Sequence, residues 1–222
     1  LKAVDDLAHR LNLGPFLSDG VRLRVKTDPN MVEEGYALTI APDGVTATVS
    51  GDAGLFRAAV TLLTLRETHE GNLPCGTITD APRFGWRGQH LDCARHFFQV
   101  ATIHRLLDLM ALFKLNRFHW HFADDEAFRL EVDTQPLLWQ RTAFRGEGEL
   151  VPGVFGGGIR AGGSYSKADV ARVLARAKAL LRHLGPVIDE ATIAHTIGEL
   201  TACWEGEEAV EGIGAFFAKR RP

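Results

Sequence analysis

The sequence comprises 222 residues, of which 45% are hydrophobic and 24% are charged, and its formal net charge is −3 at pH 7. These proportions are typical of a globular protein and exclude a chain that is disordered throughout. The slightly acidic balance, with a pI near 6.3, gives no sign of the basic surface that nucleic-acid binding requires, so we expect no nucleic acid as a partner.

Membranes are also excluded as partners by the sequence pattern. No apolar run approaches the ~18 residues that a membrane-spanning helix needs. Residues 1–6, Leu-Lys-Ala-Val-Asp-Asp, have acids where a signal peptide has an apolar stretch. We therefore expect a soluble chain with no visible signal peptide, and the sequence indicates no compartment. The cysteines Cys75, Cys93 and Cys203 lie far apart, which favours buried or free thiols.

The first part of the chain predicts a small α+β domain. Val21, Leu23 and Val25 alternate with polar residues, and two further alternating runs, 36–40 and 45–49, are typical of a β-hairpin. A helix that packs on this sheet is predicted from apolar residues at helical spacing: Leu55, Ala58, Ala59, Leu62 and Leu63.

Loop residues at 71–74 and 80–82 then indicate a domain boundary, so the first domain is predicted over residues 1–82. From residue 84 the pattern changes to strand, helix, strand, helix, the order of βα units around a parallel sheet. The strands are predicted at 85–92 and 116–122. One helix is predicted at 167–184. Another is predicted to end with Lys114 in its last turn, where a cation suits the helix dipole, from a stripe of apolar residues: Ile103, Leu106, Leu107, Met110 and Phe113.

The predicted fold class is therefore α/β. We expect a truncated TIM-type (β/α) barrel over residues 83–178, preceded by the small α+β domain and followed by a helical tail over residues 179–222. A complete barrel takes about 250 residues, so the stretch from residue 83 onwards is expected to be too short to close one. The stretch between the second strand and the last helix, with Pro136 and Pro152, is predicted to be irregular.

Polar side chains follow each of the two predicted barrel strands. Asp92 and Arg95 come after the first strand, and His121 and Asp124 come after the second. The loops that follow parallel strands form the active-site mouth of a βα barrel, so these residues are candidates for a functional site. His119 and His121 are two apart on one strand and are expected to point to the same side.

Three interpretations of this cluster are open on spacing alone. The polar groups could satisfy one another in a structural network. His119, His121 and Asp124 could be the ligands of a zinc or iron ion. In the third interpretation, Arg95 and Asp124 bind sugar hydroxyls while aromatic rings such as Trp120 form a wall of the pocket.

Five segments match the pattern of one enzyme family, in order and without large gaps over about residues 20–178. They are EGYAL at 34–38, GLFRAAVTLL at 54–63, DAPRFGWRG with LDCARHFF at 80–98, KLNRFHWHFADDEAFRLE at 114–131 and GGSYSKADV at 162–170. They resemble the β-N-acetylhexosaminidases of glycoside hydrolase family 20, including the domain that precedes their barrel.

The resemblance implies roles for four residues. Arg95 would bind hydroxyls of a terminal N-acetylhexosamine, and Asp124 would be a carboxylate at the wall of the pocket. Asp92 and His121 would orient those two groups. It also implies glycans ending in N-acetylglucosamine or N-acetylgalactosamine as partners, with no metal and no organic cofactor. Asp125 and Glu126 are expected to lie in a solvated loop or to pair with Arg129.

The family's reaction is substrate-assisted and retaining, since the acetamido oxygen of the sugar attacks its own anomeric carbon. An adjacent Asp-Glu pair in a His-x-Gly-Gly-Asp-Glu motif orients the amide and protonates the leaving group. The sequence contains no such motif, and Asp189-Glu190 lacks its glycines. No catalytic residue is therefore assigned, and hydrolysis by this chain is expected to be absent or very low.

Two alternatives remain beside the glycosidase. One is an inactive N-acetylhexosamine-binding module, and the other is a metal-dependent hydrolase that uses His119, His121 and Asp124. Beyond about residue 178 the sequence is expected to leave the family. Residues 211–222 are similar to the C-terminal end of enoyl-CoA hydratases, a resemblance that includes none of the hydratase catalytic core.

Overall fold

The computed structural model describes residues 1–17, 20–125, 127–150 and 158–181. Its elements are, in chain order, α1 (Lys2–Arg10), β1 (Leu23–Thr27), β2 (Tyr36–Ala41), β3 (Gly44–Val49), α2 (Asp52–Thr68), β4 (Gly76–Asp80), β5 (Gly88–Asp92), α3 (Val100–Leu112), β6 (Arg117–His121), β7 (Ala123–Asp124), β8 (Ala127–Phe128), α4 (Pro136–Thr142), β9 (Phe144–Arg145), β10 (Ala161–Gly162) and α5 (Lys167–Leu181). The fold is mixed α/β, as predicted. The residues 182–222 of the predicted tail lie outside the described residues.

The first part of the structure is a four-stranded sheet in the order β1-β3-β2-β4. The predicted hairpin is confirmed, because β2 and β3 pair antiparallel from Tyr36 opposite Val49 to Ala41 opposite Gly44. β1 joins β3 in parallel, and β4 joins β2 antiparallel. Alternate side chains of β2 and β3 are buried, as expected for strands that face a core on one side.

The helices α1 and α2 belong to this part of the fold. α2 buries the predicted stripe, with Ala58, Ala59, Leu62 and Leu63 almost fully enclosed. α1 was not predicted from the sequence, although its Val4, Leu7 and Ala8 are buried at the three- and four-residue spacing of a helix. None of the helices in the described parts of the chain is long and apolar enough to cross a membrane.

A parallel βα unit follows. β5 and β6 pair in parallel, with Gly88 opposite Arg117 and Asp92 opposite His121. α3 connects them and buries Ile103, Leu107 and Met110 of the predicted stripe. The two predicted strands and their helix are therefore confirmed. The truncated barrel that is too short to close and the domain boundaries after residues 82 and 178 stay predictions.

Two local predictions were wrong. Lys114 does not lie in the last turn of α3, because the helix ends at Leu112 and Lys114 has a positive φ of 56°. Its ammonium group instead donates to Asp80 at 2.8 Å. The stretch after β6 is not wholly irregular, since α4 begins at Pro136, which suits the first turn of a helix because no N–H is needed there.

A buried carboxylate joins the sheet to the βα unit. Glu34 is 6% exposed and accepts hydrogen bonds from Arg57 at 2.8 Å, Arg87 at 2.7 Å and Asn116 at 2.9 Å. Arg87 directly precedes β5 and Asn116 directly precedes β6. The network therefore fixes the starts of both strands whose ends carry the candidate site.

Candidate functional site

The candidate site lies where β5 and β6 end side by side. Because the two strands are in parallel register, Asp92 and His121 are direct neighbours. The carboxylate of Asp92 accepts hydrogen bonds from the backbone N–H groups of Ala94 and Arg95, both at 3.0 Å. These bonds form a tight turn after β5, of the kind that Asp side chains commonly stabilise, and the turn carries Arg95.

The guanidinium group of Arg95 is surrounded by carboxylates. It forms an ion pair with Asp124, a second with Asp125 at 3.1 Å and a longer one with Asp92 at 3.4 Å. His121 Nε2 lies 2.7 Å from the same oxygen of Asp124. The structure thus brings together Arg95, Asp124, Asp92 and His121, the four site residues named from the sequence. Their roles toward a substrate stay predictions.

Electrostatics keep Asp92, Asp124 and Arg95 charged. The backbone N–H of Asp125, the imidazole of His121 and the charge of Arg95 lower the pKa of Asp124 to about 2. Partial desolvation would raise the pKa of Asp92, but the backbone N–H and the charge of Arg95 outweigh it and lower the pKa. Partial desolvation would lower the pKa of Arg95, but the carboxylates of Asp124 and Asp125 outweigh it and raise the pKa. At neutral pH the site therefore holds the guanidinium cation of Arg95 beside the ionised carboxylates of Asp92 and Asp124.

A buried arginine holds the loop that carries Arg95. Arg129 is 1% exposed, and its guanidinium group donates to the carbonyl oxygens of Cys93, Ala94, Ala143 and Gly163, the Ala94 bond being 2.9 Å long. These carbonyls belong to loops that are distant in sequence. Arg129 therefore joins the turn after β5 to the segments around β9 and β10.

Asp125 lies in an exposed turn after β7, as one of the two expectations for it stated. The alternative, a pair with Arg129, is wrong, because Asp125 pairs with Arg95 and the described part of the chain gives Arg129 backbone partners. Glu126 lies outside the described residues. Sequence reasoning missed the role of Arg129, since a single arginine among apolar residues carries no signal of its partners. A second missed contact is that of Arg145, whose guanidinium group donates to the carbonyl oxygen of Arg95.

Trp120 does not form a wall of this site. It points to the opposite face of β6, as the strand alternation predicts, and packs against the core with its ring centroid 4.6 Å from that of the buried Tyr165. The expectation that Trp120 forms a wall of the sugar pocket is therefore wrong.

Three histidines lie together on the face of β5 and β6 that bears the site. His90 is directly opposite His119, and one ring nitrogen from each of His90, His119 and His121 lies within 4.8 Å of the others. His90 was not among the residues named from the sequence. The metal-ligand set considered from the sequence was His119, His121 and Asp124. It differs from this histidine group, because Asp124 contacts His121 and Arg95 and is not part of the group. Desolvation, together with the charges of His90 and His121, lowers the pKa of His119.

Comparison with protein families gives two matches. Residues 7–81 match domain 2 of glycosyl hydrolase family 20, and residues 84–199 match the catalytic domain of the same family. The second match continues past residue 178, where we expected the resemblance to end. The likeness of the last residues to enoyl-CoA hydratases stays a prediction.

Curated relatives are similar over most of the chain. A β-hexosaminidase from Vibrio furnissii is 34% identical over 175 residues, which cover 78% of this chain and 29% of the relative. A β-N-acetylhexosaminidase from Cellulomonas fimi is 34% identical over 206 residues, which cover 90% of this chain and 40% of the relative. The chain thus spans well under half the length of these relatives.

Solved structures are similar as well. A family 20 exo-β-N-acetylglucosaminidase from Vibrio harveyi, in complex with N-acetylglucosamine, aligns with a TM-score of 0.70 and 31% identity over 80% of this chain and 29% of that one. A mutant β-hexosaminidase from Streptomyces plicatus, in complex with its product N-acetylglucosamine, aligns with a TM-score of 0.64 and 31% identity over 81% of this chain and 38% of that one.

Proposed function

We propose a function for the chain from the premise that it belongs to glycosyl hydrolase family 20. In this proposal, the chain provides the terminal-sugar subsite of a β-N-acetylhexosaminidase. Such a glycosidase releases terminal N-acetylglucosamine or N-acetylgalactosamine from β-linked glycans or chitin fragments. The observation that carries this proposal is the convergence of Arg95 and Asp124 at the ends of two neighbouring parallel strands.

The chemistry of the pair suits a sugar. A sugar hydroxyl both donates and accepts hydrogen bonds, so it can donate to the carboxylate of Asp124 and accept from the guanidinium group of Arg95. The two side chains are 36% and 31% exposed, which leaves donor and acceptor positions open to a ligand. Hydrogen bonds to charged groups contribute about 1.5–3 kcal/mol each, enough for a few of them to hold one sugar ring.

Asp92 and His121 act as positioning residues in this proposal. Asp92 fixes the backbone of Arg95, and His121 holds the shared oxygen of Asp124 at 2.7 Å. Preorganised side chains lose less conformational entropy when a ligand binds, so these contacts strengthen sugar binding without touching the sugar.

Hydrolysis by the reaction of this family needs catalytic residues in addition to this subsite. The acetamido oxygen of the substrate attacks the anomeric carbon, while an Asp-Glu pair orients the amide and protonates the leaving group. The His-x-Gly-Gly-Asp-Glu motif that supplies this pair does not occur among the 222 residues. The chain itself is therefore expected to bind the sugar and to hydrolyse it at background rate, and no metal or organic cofactor takes part.

Titration calorimetry with N-acetylglucosamine tests the subsite. The unaltered chain is expected to bind the sugar, and Arg95→Ala is expected to weaken binding by about tenfold or more, because charged hydrogen bonds are lost. The matched control is Arg105→Ala, which removes an exposed arginine from α3. Equal affinity of the Arg95→Ala variant and the control would contradict the proposal, as would no binding by the unaltered chain.

A fluorogenic N-acetylglucosaminide assay tests the expected lack of turnover. Binding without hydrolysis is the expected result for the purified chain, whereas robust turnover would show that other residues supply the acid and the amide-orienting group. The same assay separates the metal-dependent alternative, since only a metallohydrolase would show turnover that a chelator abolishes.

A further inference from the structure

Three histidines lie together beside the sugar subsite, and two of them, His90 and His119, take no part in the proposed function. His90 and His119 are cross-strand neighbours whose ring centroids are 4.6 Å apart, and His121 follows on the same face with its centroid 5.3 Å from that of His90. His90 and His119 are exposed, and the side chain of His121 is 26% exposed. The three rings are therefore open to solvent and face one another.

The spacing of the rings suits a transition-metal ion. One nitrogen of each ring lies within 4.8 Å of the other two. Zinc–imidazole bonds of about 2.0–2.1 Å in tetrahedral geometry place ligand nitrogens about 3.4 Å apart. Rotation of the side chains about their χ angles can close the remaining gap, because two of the three histidines are exposed.

Carboxylates lie beside the three histidines. Asp92, Asp124 and Asp125 gather around the guanidinium group of Arg95, while the guanidinium groups of Arg129 and Arg145 contact the backbone of the same loop. Asp124 also contacts His121 Nε2 at 2.7 Å, which leaves Nδ1 of that ring for a metal. A carboxylate bonded to the second nitrogen of an imidazole is the arrangement that orients histidine ligands in metal sites.

We propose that His90, His119 and His121 form a binding site for a borderline divalent metal ion such as Zn²⁺, with Asp124 orienting His121. Three imidazole ligands and an open fourth position match the ligand number of such ions, whereas Mg²⁺ prefers oxygen ligands. The ion would lie beside the sugar subsite and is independent of the glycosidase reaction, which needs no metal.

Titration calorimetry of the metal-free chain with ZnCl₂ tests the proposal without any sugar. We expect one Zn²⁺ per chain for the unaltered protein and for His9→Ala, the control that removes an exposed histidine from α1. His119→Ala and His90→Ala should each weaken binding at least about tenfold, and Asp124→Asn about 10–100-fold, the effect of removing an outer partner of a histidine ligand.

Two further measurements keep the test decisive. Thermal unfolding should show unchanged melting temperatures for the metal-free His90→Ala and His119→Ala variants, because both side chains are exposed. Substitution with Co²⁺ should give visible absorption bands that disappear in both variants, which reports imidazole ligation directly. No Zn²⁺ binding by the unaltered chain, equal binding by His119→Ala, or equally tight binding of Mg²⁺ would overturn the proposal.

Discussion

Arg95 and Asp124 form an ion pair across 29 positions of sequence, and each follows one of two adjacent parallel strands within three residues. The pairing follows from the register of β5 and β6, which sets Asp92 beside His121, so that the segments after both strands start at the same edge. A sugar that binds here must form hydrogen bonds with both Arg95 and Asp124, which also bind each other. Sugar binding is therefore expected to depend on the charges of these two side chains as much as on their shapes.

Removing the charge of Asp124 while keeping its shape should weaken sugar binding. Asp124→Asn is expected to lower the affinity for N-acetylglucosamine about tenfold, because a neutral amide accepts weaker hydrogen bonds and no longer balances the guanidinium group of Arg95. Titration calorimetry measures the change. Asp43→Asn, in the exposed turn between β2 and β3, is the control, and an Asp124→Asn variant that binds as tightly as this control would speak against a contact with the sugar.

Loss of the buried guanidinium group of Arg129 should destabilise the fold. Arg129→Met is expected to lower the free energy of unfolding by about 3–5 kcal/mol, since several buried carbonyl oxygens lose their donor. Urea unfolding followed by circular dichroism measures the effect, with Arg141→Met on the exposed surface of α4 as the control. A difference between the two variants below about 1 kcal/mol would show that other donors replace Arg129.

Elements with a strong local pattern were predictable from the sequence. The hairpin of β2 and β3 combines alternating apolar residues with a Pro-Asp-Gly turn, and α3 has a continuous apolar stripe. The two parallel strands β5 and β6 were predicted within three residues at their starts and within one at their ends. α1 was missed because it is only nine residues long and few of its side chains reach the core.

The candidate site was predictable where its residues follow strand ends. Asp92, Arg95, His121 and Asp124 stand just after or at the ends of β5 and β6, and parallel strands bring such ends together. His90 and Arg129 were missed for a physical reason. The grouping of His90 with His119 depends on the register between two strands, and the contacts of Arg129 depend on loops that meet only in the folded chain.

The buried carboxylate of Glu34 should make stability depend on pH. Burial alone would raise the pKa of Glu34, but hydrogen bonds from Arg87, Arg57 and Asn116 and the Arg57 charge outweigh it, so the pKa lies below the ordinary 4.5. A carboxyl group whose pKa is lower in the folded state stabilises the fold above its unfolded pKa, and this stabilisation is lost as the pH falls through the folded pKa.

Glu34→Gln is therefore expected to reduce the stability of the chain at pH 7 and to flatten the fall in stability below pH about 4.5. Urea unfolding at a series of pH values between neutral and strongly acidic measures both effects. Glu70→Gln, which alters an exposed carboxyl group after α2, should leave the pH profile unchanged. Parallel acid profiles for the unaltered chain and the Glu34→Gln variant would show that the network does not depend on this charge.

A close backbone approach at Gly162 links the stability of the loops to the candidate site. Gly162 has a φ of 147°, and an added Cβ would lie 2.2 Å from the carbonyl oxygen of Ala143 and 3.0 Å from Arg129 Nη1. Gly162→Ala must therefore displace that carbonyl oxygen from the guanidinium group of Arg129, which also holds the carbonyl oxygen of Ala94.

The strain at Gly162→Ala is expected to lower the free energy of unfolding by about 1–3 kcal/mol. Because Ala94 directly precedes Arg95, the displacement should also loosen the turn that carries the guanidinium group and weaken binding of N-acetylglucosamine. Gly158→Ala is the matched control, since an added Cβ there meets no atom within 4 Å. Urea unfolding and sugar titration of both variants give the comparison. If Gly162→Ala lost stability but kept full sugar affinity, Arg129 would support the fold without positioning Arg95.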